Sequence, residues 1–297
     1  AWELNISWWS DVAFSHLVQK LDENLVAEIL PDFPENGPYI IPDNSSVANC
    51  SPTGLMNVDK EFRSLFGFTG THIGSNNWVV APEKSVTGKP IIANDPHLGL
   101  QLPGKWYVAS IKGGNWNCEG FTLPGVPVVI IGKNQNISWV VTNVMADDAD
   151  FYMEKVNDDT TQYMVDNKWL DLNFRKDTIN VKDSLPVEIK IANTHRGPII
   201  SDIHLYKELI PDSTRNYIPT SMRWTALDFT NEFTAILNVN KAQNWDEFKD
   251  ALSEYSVPGQ NFVYADDQDN IGYICGAKIP ARKSSSPTLV YDGSTSR

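Results

Sequence analysis

Hydrophobic and polar positions follow a helical period at the start of the chain and lose it soon afterwards. Asp11–Leu30 carries apolar residues at the spacing of one helix face, and Pro31 follows, so the pattern predicts a helix that ends there. From Pro31 to about Gly74, pairs of proline, glycine and small polar residues interrupt the pattern. This stretch is predicted to be a long connector with one short helix near Asp59–Phe66.

After Ser75 the pattern changes to that of strands separated by turns. The predicted strand segments are Trp78–Ala81 with Ile91–Ala93, Trp106–Ile111, Val128–Ile131, Ile137–Thr142, an alternating stretch over Tyr163–Ile200, and Phe262–Ala265 with Ile271–Ile274. One more helix is predicted over Asn244–Tyr255, because Asn244 and Glu247 have the spacing of a capping box. The order of elements predicts an α+β fold with a large, mostly antiparallel sheet.

Composition narrows the range of partners. The chain has 297 residues and a formal net charge of −13, with a sequence pI of about 4.8. Nucleic acids and anionic membranes bind clustered lysine and arginine, so neither is expected as a partner. No apolar stretch reaches the roughly 18 residues that a membrane-spanning helix needs. Three cysteines and five histidines are too scattered for a zinc site or a disulfide framework.

The common nucleophile, phosphate-loop, metalloprotease and dinucleotide motifs do not occur. The Gly74–Ser75 step is the candidate for chemistry, because it is followed by Asn-Asn-Trp and lies where the predicted connector meets the β-rich part, which suggests a self-processing site. Cleavage of this bond would give Ser75 a free α-amine beside its hydroxyl. An α-amine has a pKa of about 7.7–8.0 and is suited to act as a general base near neutral pH. It could then activate its own hydroxyl as a nucleophile. Taken alone, a Gly–Ser step is also compatible with an ordinary turn.

A series of short segments resembles the penicillin acylase family of N-terminal nucleophile hydrolases, in the order in which that family has them. They are Ser75–Val79, Asn94–Gly99, Leu123–Pro127, Gly132–Asn134, Ile137–Trp139, Thr142–Asn143, Thr194–Pro198, Arg223–Thr225, Asn244–Phe248, Gln260–Asp266 and Asn270–Tyr273. The resemblance implies an αββα sandwich, of which this chain would be a part. It assigns residues 1–30 to the end of a small subunit, 31–74 to a spacer, and 75–297 to the start of a large subunit with a β-rich insertion at about 151–220.

The resemblance also implies catalytic roles. Ser75 matches the family nucleophile, and the bond between Gly74 and Ser75 matches the cleavage site. Asn143 matches the residue whose backbone N–H stabilises the oxyanion, and His97 matches a position that orients the nucleophile's amine. A second oxyanion donor of the family, an asparagine side chain, would lie beyond Arg297.

Calcium is the expected cofactor, and no organic cofactor is expected. The run Ala146–Asp150 matches the place where the family binds this ion through the positions of Asp147, the Ala149 carbonyl, Asp150 and a carbonyl at Pro280. Two carboxylates with a carbonyl between them suit a hard cation that prefers oxygen ligands. A solvated acidic turn in an acidic protein is the alternative for the same residues.

The expected function is hydrolysis of an N-acyl amide, such as a penicillin, through an acyl-enzyme ester. Leu98, Ile131 and Val141 match acyl-pocket positions but are aliphatic where well-known members have aromatic or small polar groups. This difference weakens the expectation of a phenylacetyl substrate and leaves an apolar acyl group. All three residues could equally belong to the core.

Three alternatives for the whole protein remain open at this stage: an autoprocessed acylase, a family member that is never cleaved, and a secreted binding module. The expected partners are the substrate and the remaining parts of the protein's own two subunits. The expected location, by analogy with the family, is extracellular or periplasmic. The chain on its own is expected to be an uncleaved, inactive fragment in which the Ser75 nitrogen is still an amide.

Overall fold

The computed structural model describes Asp11 and residues 74–98, 102–114, 116–201, 218–282 and 290–296. The predicted helix over Asp11–Leu30 and the connector from Pro31 to Gly74 lie outside these ranges, apart from Asp11 and Gly74 themselves. The described residues belong to two compact units. The first contains those of 74–146 and 228–279, and the second contains Asp11 and those of 147–227 and 280–296.

Strands make up most of the regular structure in the described ranges. In chain order they are β1 (Gly74–Val80), β2 (Ile91–His97), β3 (Tyr107–Gly113), β4 (Trp116–Thr122), β5 (Ile131–Lys133), β6 (Ile137–Asn143), β7 (Ala149–Met153), β8 (Gln162–Val165), β9 (Lys168–Asp171), β10 (Asn173–Ile179), β11 (Val187–Asn193), β12 (Thr220–Trp224), β13 (Gln260–Asp266), β14 (Ile271–Gly276) and β15 (Tyr291–Asp292). Two α-helices, α1 (Glu232–Val239) and α2 (Trp245–Leu252), and short 3₁₀ turns at Pro82–Lys84 and Thr225–Leu227 complete this set. The predicted α+β class with mostly antiparallel strands is confirmed.

A six-stranded antiparallel sheet forms the centre of the first unit, in the order β14-β13-β6-β5-β4-β3. Five of the seven residues of the central strand β6 are buried, as expected for a strand that is covered on both faces of the sheet. Aromatic rings of α2 pack on β13, where Phe248 contacts Phe262 edge-on and Trp245 contacts Tyr264. These apolar contacts attach the helix to the sheet.

Strands β1 and β2 form a separate hairpin in the first unit. Their register runs from Gly74 opposite His97 to Val80 opposite Ile91. The hairpin predicted from Trp78–Ala81 and Ile91–Ala93 is confirmed, and both strands are longer than predicted. Ser75 therefore lies within a strand rather than in an ordinary turn.

The second unit contains three small sheets. Strand β7 pairs antiparallel with β12 and parallel with β15, while β8–β9 and β10–β11 are hairpins. The hairpins confirm the predicted antiparallel meander over Tyr163–Ile200. The predicted insertion at about 151–220 lies within this unit. A small apolar cluster supports the hairpins and consists of Tyr163, Val165, Leu172, Ala192 and Ile199.

Two local predictions differ from the structure. The strand predicted over Val128–Ile131 starts only at Ile131, because the side chain of Asn240 takes both backbone hydrogen bonds of Val129 at 2.8 Å each. Helix α1 was not predicted at all. By contrast, α2 begins as predicted, with the Glu247 N–H donating to the Asn244 side chain at 3.0 Å.

In the part of the chain that the structure describes, no helix combines the length and apolar character needed to cross a membrane.

Gly132 in β5 provides a test of the sheet's close packing. A Cβ atom at Gly132 would lie 2.2 Å from the backbone oxygen of Glu119 in β4, which the sheet holds in place. We expect Gly132→Ala to lower the free energy of unfolding by about 1–3 kcal/mol, as overpacking typically does. Chemical denaturation, monitored by tryptophan fluorescence, measures the change in the free energy of unfolding.

Gly113 in β3 is the matched control, because a Cβ atom there has no neighbour within 4 Å. Gly113→Ala should leave stability unchanged or raise it slightly, since glycine costs about 0.5–1 kcal/mol relative to alanine inside regular structure. Equal stability of both variants would contradict the described β4–β5 packing.

Candidate active site

One cavity of about 380 Å³ in the first unit brings five of the predicted site residues together. Ser75 and Asn143 lie on its wall, as do the three aliphatic residues predicted for the acyl pocket, Leu98, Ile131 and Val141. The remaining lining residues are mostly apolar. They come from β2, the residue before β3, the β4–β5 connection, β6, α1, the segment before β13, and β13 itself: Pro96, Trp106, Leu123, Val126, Val128, Ile130, Thr142, Glu232, Phe233, Ile236, Tyr255, Val257, Pro258, Gln260 and Phe262.

Ser75 reaches this cavity because of the β1–β2 register. It lies opposite Pro96, which also lines the cavity, and directly paired residues of antiparallel strands share one face of the sheet. The Ser75 hydroxyl donates a hydrogen bond of 2.6 Å to the carbonyl oxygen of Gly74. The hydroxyl therefore lies beside the peptide bond that the sequence predicts to be cleaved.

Asn143 is the last residue of β6 and is paired with Gln260 of β13. Its side-chain amide donates to the Met145 sulfur at 2.9 Å, and its carbonyl accepts from the side chain of Asn261 at 3.3 Å. The preceding residue, Thr142, also lines the cavity. The peptide between Thr142 and Asn143, which carries the predicted oxyanion donor, thus lies at the cavity wall.

His97 has a different position from the other predicted residues. It pairs with Gly74, one residue away from Ser75, so its side chain lies on the opposite face of the hairpin. There its Nε2 is 3.2 Å from a carboxylate oxygen of Asp95, and His97 is not among the residues that line the cavity. The predicted role in orienting the Ser75 amine remains a prediction.

Several lining residues were missed by the sequence analysis. Phe233 and Ile236 lie on α1, where apolar residues three apart form the helix face toward the cavity. That spacing was visible in the sequence. Tyr255 donates from its hydroxyl to the Pro258 carbonyl at 2.9 Å, and burial raises its pKa. This tyrosine is therefore neutral and contributes a largely apolar surface.

The predicted calcium ligands belong to the second unit, where two carboxylates converge on an arginine. The Arg282 Nε lies 2.8 Å from Asp150, and its terminal nitrogen lies 3.1 Å from the Asp147 carboxylate and 3.2 Å from the Asp147 carbonyl oxygen. Burial raises the pKa of Asp150, and the neighbouring guanidinium opposes that change. These oxygen atoms are suitable ligands for a cation. Here the positive charge is the guanidinium of Arg282.

Pro280 is two residues before Arg282, and Ala149 lies between the two carboxylates at the start of β7. Within the described ranges, no group of three or more histidine, cysteine, aspartate or glutamate side chains has the arrangement of a metal site.

Comparison with known proteins shows which family the chain resembles. A sequence model described as penicillin amidase matches residues 1–297. The chain is 26% identical to the acyl-homoserine lactone acylase QuiP of Pseudomonas aeruginosa over 98% of its own length, and 27% identical to the penicillin G acylase of Escherichia coli over 73%. It spans about a third of the length of the acyl-homoserine lactone acylases that it matches, and 25% of the Escherichia coli enzyme.

A solved structure supports the same relationship. The thermostable penicillin G acylase of Alcaligenes faecalis matches with a TM-score of 0.63 and 28% sequence identity, over 73% of this chain and 38% of that one. The similarity confirms the predicted N-terminal nucleophile hydrolase fold. With a family match over its whole length, the chain belongs to the penicillin amidase family.

Proposed function

We propose that the protein containing this chain is an amide hydrolase that removes an apolar acyl group from an N-acyl amide, with Ser75 as its nucleophile. The observation that carries the proposal is the cavity that holds Ser75 and Asn143 within an apolar wall. Penicillins and acyl-homoserine lactones, after which the relatives are named, both contain an amide that links an acyl group to an amine. An N-acyl amide is therefore the substrate class that fits family and cavity together.

Maturation would begin with the Gly74–Ser75 bond. The Ser75 hydroxyl oxygen attacks the Gly74 carbonyl carbon, the carbon–nitrogen bond breaks, and the Ser75 nitrogen takes up a proton as an ester forms. Water then hydrolyses the ester and releases Ser75 with a free amine. The 2.6 Å contact between this hydroxyl and the Gly74 carbonyl supports the proposal, because it places the two reacting groups side by side.

Turnover would use the same hydroxyl. The free amine removes its proton, the oxygen attacks the substrate carbonyl, and the backbone N–H of Asn143 stabilises the resulting oxyanion. The leaving amine takes up the proton, and water resolves the acyl-enzyme ester. One oxyanion donor is typically worth about 3–4 kcal/mol of the barrier. The second donor, and the rest of both subunits, would come from outside this chain.

Calcium would have a structural role in the second unit. We propose that Asp147 and Asp150 hold the ion together with the carbonyl groups of Ala149 and Pro280. When bound, the ion would supply positive charge to the buried carboxylate of Asp150 and the partly exposed one of Asp147, and so stabilise the turn before β7. Arg282 now fulfils that role and would have to share the carboxylates with the ion.

The first prediction of this proposal concerns the nucleophile. Ser75→Ala in the full-length protein should abolish both cleavage and amide hydrolysis, because one hydroxyl serves both reactions. Ser75→Cys should be cleaved but hydrolyse poorly, since a thiol can make the acyl shift but changes the amine-assisted attack. Intact-mass measurement detects cleavage, and amine release from an N-acyl anilide measures turnover.

Ser110→Ala is the control for these variants, because Ser110 is exposed on β3. It should behave as the wild type in both assays. Amide hydrolysis by the Ser75→Ala protein would show that the nucleophile is assigned wrongly.

The second prediction concerns the acyl pocket. Val141 is buried at the cavity wall, so Val141→Phe should shorten the acyl group that the cavity accepts. For a series of straight-chain N-acyl anilides, kcat/KM of the longest substrate should fall at least tenfold, while the acetyl and propionyl compounds change less than threefold.

Val108→Phe adds the same ring at an exposed position of β3 and should leave the whole series unchanged. An equal loss for every chain length in Val141→Phe would indicate general damage, and would contradict a role of Val141 in acyl selection.

The third prediction concerns calcium. Calcium should raise the melting temperature of the full-length protein by a few degrees, and Asp150→Asn should remove this response and slow maturation. Arg282→Met should strengthen the response, because it removes the competing cation. Differential scanning fluorimetry with calcium and a chelator provides the measurement.

Asp158→Asn is the control, since Asp158 is exposed in the same unit. A melting temperature that neither calcium nor chelation changes, together with no divalent ion by elemental analysis, would refute a calcium site at these residues.

A further inference from the structure

Asn261 connects the two parts of the candidate site and was not identified from the sequence. It is the second residue of β13, and it pairs with Thr142 of β6. Its side-chain nitrogen donates to the Thr142 hydroxyl and to the Asn143 carbonyl oxygen, each at 3.3 Å. The side chain thus contacts one group before the Asn143 N–H, the Thr142 hydroxyl, and one group after it, the Asn143 carbonyl. This N–H is the predicted oxyanion donor.

A third contact holds the oxygen of this amide. The Tyr273 hydroxyl of β14 donates to the Asn261 side-chain oxygen at 2.7 Å. If the amide rotated by half a turn, its oxygen would face the Asn143 carbonyl and its nitrogen would face the tyrosine hydroxyl. The tyrosine hydroxyl can donate or accept, whereas the Asn143 carbonyl can only accept. The Asn143 carbonyl therefore selects the orientation in which the nitrogen points at β6, and Tyr273 holds the amide oxygen in that orientation.

Asn261 is also bound to the strand that carries the nucleophile. Its backbone carbonyl accepts a hydrogen bond of 3.2 Å from the side chain of Asn77. Asn77 is two residues after Ser75 in β1, so both side chains lie on the same face of that strand. One residue of β13 is thus linked to the strand of the nucleophile and to the end of the strand that bears the oxyanion donor.

We propose that Asn261, held by Tyr273, is a positioning residue that sets the distance between the Ser75 oxygen and the Asn143 N–H. The inference rests on the proposed function of Ser75 and Asn143. Asn261 and Tyr273 do not line the cavity, so they act through these two residues and not by touching the substrate. A displacement of about 1 Å between reacting groups can cost about a hundredfold in rate, so these contacts should matter for catalysis.

The decisive variant is Asn261→Asp in the full-length protein. It keeps the size of the side chain and the acceptor for Tyr273, but it places a carboxylate oxygen opposite the Asn143 carbonyl. We expect kcat for an N-acyl anilide to fall 10- to 100-fold with KM changed less than threefold. Tyr273→Phe, which removes the hydrogen bond to the amide oxygen and so loosens the side chain, should lower kcat 3- to 10-fold.

An alkylboronic acid provides a readout that a purely structural role would not change. Its boron binds the Ser75 oxygen as a tetrahedral adduct, and one of its oxygens takes the place of the oxyanion. Its inhibition constant should rise in proportion to the loss of kcat/KM in both variants, while the melting temperature stays within two degrees of the wild type. Asn117→Asp on β4 of the same sheet is the control and should change neither value.

The outcomes separate this inference from the proposed function. Unchanged kcat and boronate inhibition in Asn261→Asp or in Tyr273→Phe, with an active wild type, would overturn the positioning role alone. A fully processed wild-type protein that neither hydrolyses N-acyl amides nor binds the boronate would refute both. If Asn261→Asp does not mature, the Tyr273→Phe result decides.

Discussion

The pairing of β6 with β13 is the interaction on which the candidate site depends. The register places Asn143 opposite Gln260 and Val141 opposite Phe262, so the cavity wall and the predicted oxyanion donor are fixed by the same ladder. A shift of one residue would turn Val141 and Asn143 to the other face of the sheet. Burial on both faces of β6 makes such a shift costly, because Trp139 and Val140 would have to exchange surroundings.

The β1–β2 hairpin is attached to this central ladder by polar groups. The backbone N–H of Val141 donates to the Asn94 side chain at 3.1 Å, and the Asn77 side chain donates to the Asn261 carbonyl. Such contacts are directional, so they fix the orientation of Ser75 more closely than apolar packing alone would. The cavity wall on the other side is apolar, and low polarity there strengthens the electrostatic effect of each N–H that faces it. In the proposed chemistry, the polar contacts thus hold the nucleophile in place, and the apolar lining strengthens the stabilisation of the oxyanion.

Local sequence patterns predicted the elements that depend on residues close together along the chain. The capping box of α2 and the β1–β2 hairpin were visible in the sequence because each depends on residues close together along the chain. Val128–Ile131 was predicted wrongly because its partner, Asn240, lies more than 100 residues away. Similarly, Asn261 binds Thr142 across a separation of 119 residues, which no periodicity shows. Ser75 and Asn143 were identified through the family resemblance, while the face on which His97 lies depends on the exact register of the hairpin.

Two ion pairs of the second unit differ in how closely they are enclosed, and the difference bears on the calcium site proposed at Asp147 and Asp150. Arg196 is enclosed with Glu154, whose side chain is fully buried, and it also donates to the backbone oxygens of Gly293 and Thr295. The Glu154 carboxylate accepts a further bond from Ser221 at 2.6 Å, so that removing the arginine would break several contacts at once. Arg282 keeps more solvent contact, and Asp147 is about a quarter exposed. The proposed ion would therefore reach the site from the side of Asp147, because Asp150 is buried. The pair of Glu154 and Arg196 offers no such exposed carboxylate.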